Sequence, residues 1–166
     1  MAKRSKPQAS KPPPEEESAR EPASDPRAEI ARRHFAFGWW ALAVFATTGL
    51  VLEAAHGLKL GWYLAVDSAT RRLAFTLGHA HGTLLALINI AFAASLRHAT
   101  MSERSIARAS FALRLATIVM PLGFFLGGIW FWAGDPGLAI VLVPPSAVVL
   151  VIGRVVVARG VSSTSR

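Results

Sequence analysis

Residues 71–90 of the chain read RRLAFTLGHAHGTLLALINI. After the two arginines, this stretch is long and apolar enough to cross the hydrocarbon core of a bilayer as a helix, which takes roughly 20 residues. Three polar side chains interrupt it, namely His79, His81 and Asn89. Because polar and ionisable groups are costly in hydrocarbon, these three residues are the first candidates for a functional site.

The same pattern of long apolar runs recurs along the chain. Hydrophobic residues make up 52% of the 166 residues and fall in blocks, whereas charged residues make up 17%. The sequence therefore predicts an all-α membrane protein with four transmembrane helices in an up-and-down bundle. The predicted transmembrane domain covers residues 31–160, with spans at about 35–55, 73–96, 113–133 and 138–158.

Polar segments flank this domain at both ends. Residues 1–30 combine basic residues, a proline triplet and an acidic run, a composition that predicts a disordered tail. Residues 161–166 form a second, short tail. Because no short apolar core follows the first basic residues, we expect no cleaved signal peptide and a retained first span.

The distribution of positive charge predicts the orientation. Fifteen of the 18 Lys and Arg residues flank one side of the predicted spans, and only Lys59, Arg71 and Arg72 flank the other. Positive residues are retained on the cytoplasmic side, so both termini are predicted to be cytoplasmic, in a bacterial-type inner membrane. The charges flank the spans instead of forming one patch, so we expect lipid and other membrane subunits or copies as partners, and no nucleic acid.

The second span carries small residues at every fourth position. They are Ala74, Gly78, Gly82 and Ala86, a stripe on which another helix can pack closely. His79 and His81 flank this stripe and point ~160° apart on a regular helix, so one metal ion cannot take both. Since His81 shares a face with Asn89, we expect His81 to be the deeper functional position and His79 to join an outer hydrogen-bonded cluster.

Four residues of the second span and the outer end of the first are candidate cofactor ligands: His81, His79, His56 and Asn89. Glu53 and His56 are three positions apart and share a helical face, so Glu53, His56 and His79 form a candidate metal site. Neutral imidazole suits haem iron or a divalent metal, and the chain has no cysteine to offer a thiolate. His34 and His98 are predicted near the opposite membrane face. The alternative is that the histidines are hydrogen-bonded between helices and bind nothing.

Two further features concern helix ends and breaks. Ser102 followed by Glu103 predicts the start of the third long helix. Pro121 should kink that helix, and Pro144 with Pro145 should kink the fourth near its middle.

The segment from Gly78 to Leu87, which contains Gly-His-Ala-His-Gly, resembles the haem-ligating histidine–glycine helix of the catalytic subunits of haem-copper oxidases and nitric-oxide reductases. It is also similar to the His-x-His helices of small bacterial membrane proteins. The resemblance covers one span, with the His81–Gly82 pair as its matching part. It implies haem or quinone contact by one histidine, and the chain is too short for oxidase activity to follow.

Two functions remain open from the sequence. The preferred hypothesis is a small polytopic integral membrane protein with a structural, accessory or sensing role and no catalysis of its own. The alternative is a haem- or metal-binding protein that transfers electrons or handles quinones with the histidines of the second span.

Overall fold

The computed structural model describes residues 25–163. Regular structure in this range is helical, apart from an isolated bridge between Trp132 and Asp135. The α-helices are α1 (Pro26–Gly57), α2 (Gly61–Leu64), α3 (Ala69–Ser95), α4 (Glu103–Ile129) and α5 (Val143–Ser162). Short 3₁₀ helices at Val66–Ser68 and Leu138–Leu142 precede α3 and α5. Four helical segments are long and apolar enough to cross a membrane, as the apolar runs predicted.

Helix α1 begins well before the predicted start of the first span at residue 35. The Asp25 carboxylate accepts a hydrogen bond of 2.9 Å from the backbone N–H of Arg27, and Pro26 occupies the first helical position. An acidic N-cap followed by proline is a strong helix start, because neither residue needs an intrahelical N–H bond there. Residues 26–30, which were assigned to the tail, therefore form the first turns of α1. The rest of the predicted disordered tail lies outside the described residues.

A serine caps the start of α4, and prolines lie both inside α4 and in the first turn of α5. The hydroxyl of Ser102 caps α4 by accepting from the N–H of Ser105, which confirms the predicted helix start. Pro121 lies inside α4 and is buried. Pro144 and Pro145 lie in the first turn of α5, after the 3₁₀ helix. The expected kink in the middle of the fourth span is therefore wrong, because prolines in a first turn remove no helical hydrogen bond.

Each long helix packs mainly on the next one in the chain: α1 on α3, α3 on α4, and α4 on α5. No substantial packing joins α1 to α5 within residues 25–163. Accordingly, 50% of the most apolar window of α4 is buried, against 6% for α1. The fully buried side chains between α3 and α4 include Leu85, Ile106 and Leu113. The middle of the fold is therefore the α3–α4 pair, and α1 and α5 form its flanks.

The small-residue stripe of α3 is buried at all four positions. A side chain at Gly82 would collide with the ring of Phe45 on α1. A Cβ at Gly78 would lie 3.0 Å from the ring of Phe125 on α4. The prediction that a helix packs on this stripe is confirmed, and the stripe contacts two helices. Since hydrocarbon surroundings give apolar burial little transfer gain, close approach of this kind carries much of the packing energy.

Candidate functional site

Three fully buried polar side chains meet between α1, α3 and α4. His34, Asn89 and Thr117 are exposed by 0%, 0% and 1%. The Nδ1 atom of His34 lies 2.8 Å from Oδ1 of Asn89, and Nδ2 of Asn89 lies 2.8 Å from Oγ1 of Thr117. A line of hydrogen bonds therefore crosses from α1 through α3 to α4. We call these three residues the polar node.

Backbone carbonyls at the edge of the polar node determine where its protons lie. The carbonyl oxygen of Leu85 can only accept, so the Asn89 atom 2.8 Å from it is the amide nitrogen and Oδ1 faces His34. That oxygen also only accepts, so the proton between the two side chains is on Nδ1 of His34. A neutral imidazole with its hydrogen on Nδ1 thus fits the node.

The remaining donors and acceptors of the node are also paired. The hydroxyl of Thr117 donates to the Leu113 carbonyl at 2.7 Å and accepts from Asn89. With its proton on Nδ1, His34 accepts at Nε2 from the hydroxyl of Ser110, 2.8 Å away. Among the described residues, no buried side-chain nitrogen or oxygen lacks a hydrogen-bond partner. Pairing of this completeness removes the cost of burying polar atoms and leaves a net attraction between the helices.

Packing fixes the orientation of the His34 ring. Phe92 of α3 meets it edge to face, with ring centroids 4.7 Å apart. Four residues after His34, Gly38 lets α1 approach α3 closely, since a Cβ there would lie 3.0 Å from the carbonyl oxygen of Ala86. Close approach of α1 to α3 and the hydrogen bond to Asn89 therefore occur on neighbouring turns of α1.

His79 points toward α1 and is half-buried. Its Nδ1 lies 2.7 Å from the carbonyl oxygen of Phe45, and its ring fills the space left by the missing side chain of Gly49. A carbonyl only accepts, so Nδ1 carries the hydrogen. The structure therefore places His79 in a contact between α1 and α3.

His81 points toward α4, as its angular separation from His79 requires. Its Nδ1 donates to the carbonyl of Leu77 in its own helix at 2.8 Å, and its ring lies 5.0 Å from the ring of Phe124. The prediction that the two histidines meet different neighbours is confirmed. Although His81 and Asn89 lie along one face, Asn89 takes its polar partners from α1 and α4, and His81 takes its own from α3.

The C-terminal end of α1 does not join His79 in one cluster. Glu53 and His56 are exposed, and within residues 25–163 no three His, Cys, Asp or Glu side chains lie close enough together to hold a metal ion. The candidate set of Glu53, His56 and His79 is therefore not assembled. Arg71, near the start of α3, donates to the carbonyl of Trp62 at 2.7 Å.

His34 and Thr117 were not among the site residues predicted from the sequence. His34 directly precedes the predicted first span and was assigned to the opposite membrane face from the other histidines. In the predicted up-and-down topology Asn89 lies toward that same face, so depth alone was a signal that the two could meet. Thr117 carried no such signal, because threonine is common in apolar helices.

Comparisons of the chain with models of protein families, with curated proteins and with solved structures gave no significant match.

Proposed function

We propose that the chain is a small polytopic integral membrane protein with a structural or accessory role, in which the intramembrane polar residues hold helices together. The observation that carries this proposal is the polar node, because its hydrogen bonds join α1, α3 and α4. In hydrocarbon, polar side chains paired across helices stabilise association, and an unpaired one is costly.

Of the two histidines of α3, His79 supports the same role. Each uses Nδ1 to bond a backbone carbonyl, His79 to α1 and His81 within α3. His79 therefore adds a second hydrogen bond between α1 and α3, several turns away from the one at His34. Two bonds at different depths fix how far α1 can slide along α3.

We further propose that the four long helices alternate in direction, with both termini in the cytoplasm of a bacterial-type cell. Contacts between neighbouring helices support the alternation. His34 near the start of α1 meets Asn89 near the end of α3, and Gly49 near the end of α1 meets His79 nearer the start of α3. The positive charge near residues 97–114 and beyond residue 154 supports a cytoplasmic location for those segments.

The face of α1 that no other helix covers indicates where a partner could bind. It exposes the large apolar side chains of Trp39, Trp40, Val44 and Leu50. Such a face suits lipid, a second copy of the chain or another membrane subunit, and it would be unfavourable in water. An accessory subunit that offers an apolar helix to a membrane complex fits this exposure.

A double-mutant cycle on His34→Leu and Asn89→Leu tests the structural role. Each single variant leaves a buried partner unpaired, so we expect each to lower the free energy of unfolding by about 1–3 kcal/mol. The double variant should cost less than the sum, with a coupling of about 0.5–2 kcal/mol. The measurement is equilibrium unfolding in detergent micelles titrated with sodium dodecyl sulfate.

Thr47→Val and Thr76→Val provide matched controls, because both threonines are exposed polar residues on the same two helices. We expect their effects to be small and additive. Additive effects for His34 and Asn89 as well would show that the polar node does not couple α1 to α3.

The tautomer of His81 supports the alternative function, which is the binding of haem or a metal. Nδ1 of His81 donates to a carbonyl, which leaves the Nε2 lone pair in the tautomer that ligates metals. Haem ligated by His81 would need its second ligand from outside the set of Glu53, His56 and His79. An absorption spectrum of the purified protein with metal analysis distinguishes the two functions: a Soret band that His81→Leu removes would replace the structural role with haem binding.

A further inference from the structure

A groove of about 320 Å³ runs along the boundary between α1 and α4. Phe37 and Trp40 line it from α1, and Ile118 and Leu122 line it from α4. Its walls are almost entirely apolar and aromatic. The groove covers positions 37–45 of α1, which is ~12 Å at ~1.5 Å per residue.

The groove exists because α3 holds α1 and α4 apart. α1 and α4 both pack on α3, and the rings of Phe45 and Phe125 lie over its glycines at 82 and 78. Direct packing of α1 on α4 is slight by comparison. The two aromatic rings therefore form part of the groove lining, and the small-residue stripe of α3 lies behind them.

Arg114, a cation with no carboxylate partner among residues 25–163, lies at one end of the groove. The guanidinium carbon of Arg114 lies 5.2 Å from the centre of the Phe37 ring, and the side chain is exposed. The ion pairs found within residues 25–163 join Glu29 to Arg32 and Arg33 and do not involve Arg114. The charge of Arg114 is therefore available to an anion at the mouth of the groove.

The surroundings of this mouth are also basic. Residues at the same end of the long helices include the carboxylates Asp25, Glu29 and Glu103 and the arginines Arg27, Arg32, Arg33, Arg97, Arg104, Arg108, Arg114, Arg154 and Arg159. A zwitterionic headgroup would place its ammonium group among these arginines. An anionic headgroup meets a surface on which the arginines outnumber the carboxylates, so the net interaction is attractive.

We propose that this groove binds one anionic phospholipid of the cytoplasmic leaflet, with an acyl chain along the aromatic walls and its phosphate on Arg114. The inference rests on the membrane placement proposed above. A guanidinium matches the geometry of a phosphate oxygen pair, and the apolar walls match a hydrocarbon chain. The length of ~12 Å suits part of an acyl chain, whereas a partner helix would pack along much of the ~30 Å hydrocarbon thickness.

The test uses fluorescence quenching of Trp40 by brominated acyl chains. The full chain carries Trp39→Phe, Trp62→Phe, Trp130→Phe and Trp132→Phe, which leaves Trp40 in the groove as the single emitter. It is placed in phosphatidylcholine nanodiscs that contain a minor fraction of brominated phosphatidylglycerol, or the same fraction of brominated phosphatidylcholine. The two quenchers have identical chains, so a difference in quenching reports headgroup selection at the groove.

We expect phosphatidylglycerol to be enriched about five-fold over phosphatidylcholine at Trp40, because one cation attracts an anionic lipid about that strongly. Arg114→Gln, which removes the cation over the Phe37 ring, should reduce this ratio to about one. Arg108→Gln, six residues further from the groove along the same helix, should preserve it. Ala41→Leu should lower quenching by both lipids, because Ala41 lines the groove and the larger side chain fills it.

Equal quenching by the two lipids in the parent chain would overturn the proposal, and so would an enrichment that Arg114→Gln leaves unchanged. A chain that fails to enter nanodiscs would instead contradict the membrane placement, which separates the two failures. Unfolding in detergent checks that each variant remains folded before quenching is measured.

Discussion

The side-chain amide of Asn89 acts on three helices from one position. It accepts from His34 of α1 with its oxygen and donates to Thr117 of α4 with its nitrogen. A second hydrogen bond, donated to the carbonyl of Leu85, identifies which side-chain atom of Asn89 is nitrogen and which is oxygen. His34 joins the same three helices, since its Nδ1 bonds Asn89 of α3 and its Nε2 bonds Ser110 of α4.

The two histidines of α3 should differ when each is replaced by leucine. His79→Leu removes a hydrogen bond to the Phe45 carbonyl of α1, so we expect a loss of about 0.6–2 kcal/mol in the free energy of unfolding. His81→Leu removes a bond within its own helix and should cost less. Equilibrium unfolding in mixed micelles measures both, and a larger loss for His81 would contradict the assignment of His79 as the interhelical contact.

At this scale the sequence was informative about which residues need partners and less so about the partners themselves. Asn89 was identified because an amide in hydrocarbon must be hydrogen-bonded. Its partner His34 was missed because a hydropathy-based span starts at the first apolar residue, and His34 comes just before it. The partner depends on which turns of two helices meet, and that is set by packing at positions such as Gly38.

Among the helices, α3 is the element on which the others are arranged. Its small-residue face contacts Phe45 of α1 and Phe125 of α4, and its histidines diverge on either side. Hydrophobic periodicity and small-residue spacing were sufficient to predict this face. The start of α1 was predicted less well, because the Asp25 cap extends this helix beyond its apolar core, whereas the start of α4 at Ser102 was predicted correctly.

Gly82→Leu should destabilise the protein by about 1–3 kcal/mol, because the new side chain would collide with the ring of Phe45. Ala80→Leu is the matched control, since position 80 of the same helix is exposed. We expect the control to change the free energy of unfolding by less than about 0.5 kcal/mol. Thermal unfolding in detergent compares the two, and equal effects would mean that the stripe does not pack on α1.

In the whole molecule, the row of helices α1, α3, α4 and α5 leaves its two flanking helices largely uncovered. The window of α5 is 17% buried and that of α1 is 6% buried. A protein with this much apolar helix surface requires lipid or another apolar partner around it. The arrangement of the helices is therefore compatible with the proposed membrane placement, as is their composition.

Site-specific labelling of single cysteines tests the membrane account most directly. The chain has no cysteine, so Val66→Cys and Ser163→Cys each introduce one reactive thiol, and both positions are exposed. In cells and inside-out vesicles treated with a membrane-impermeant maleimide, we expect Val66→Cys to react only from outside and Ser163→Cys only from the cytoplasmic side. Reaction of both thiols from the same side would contradict a four-span protein with cytoplasmic termini.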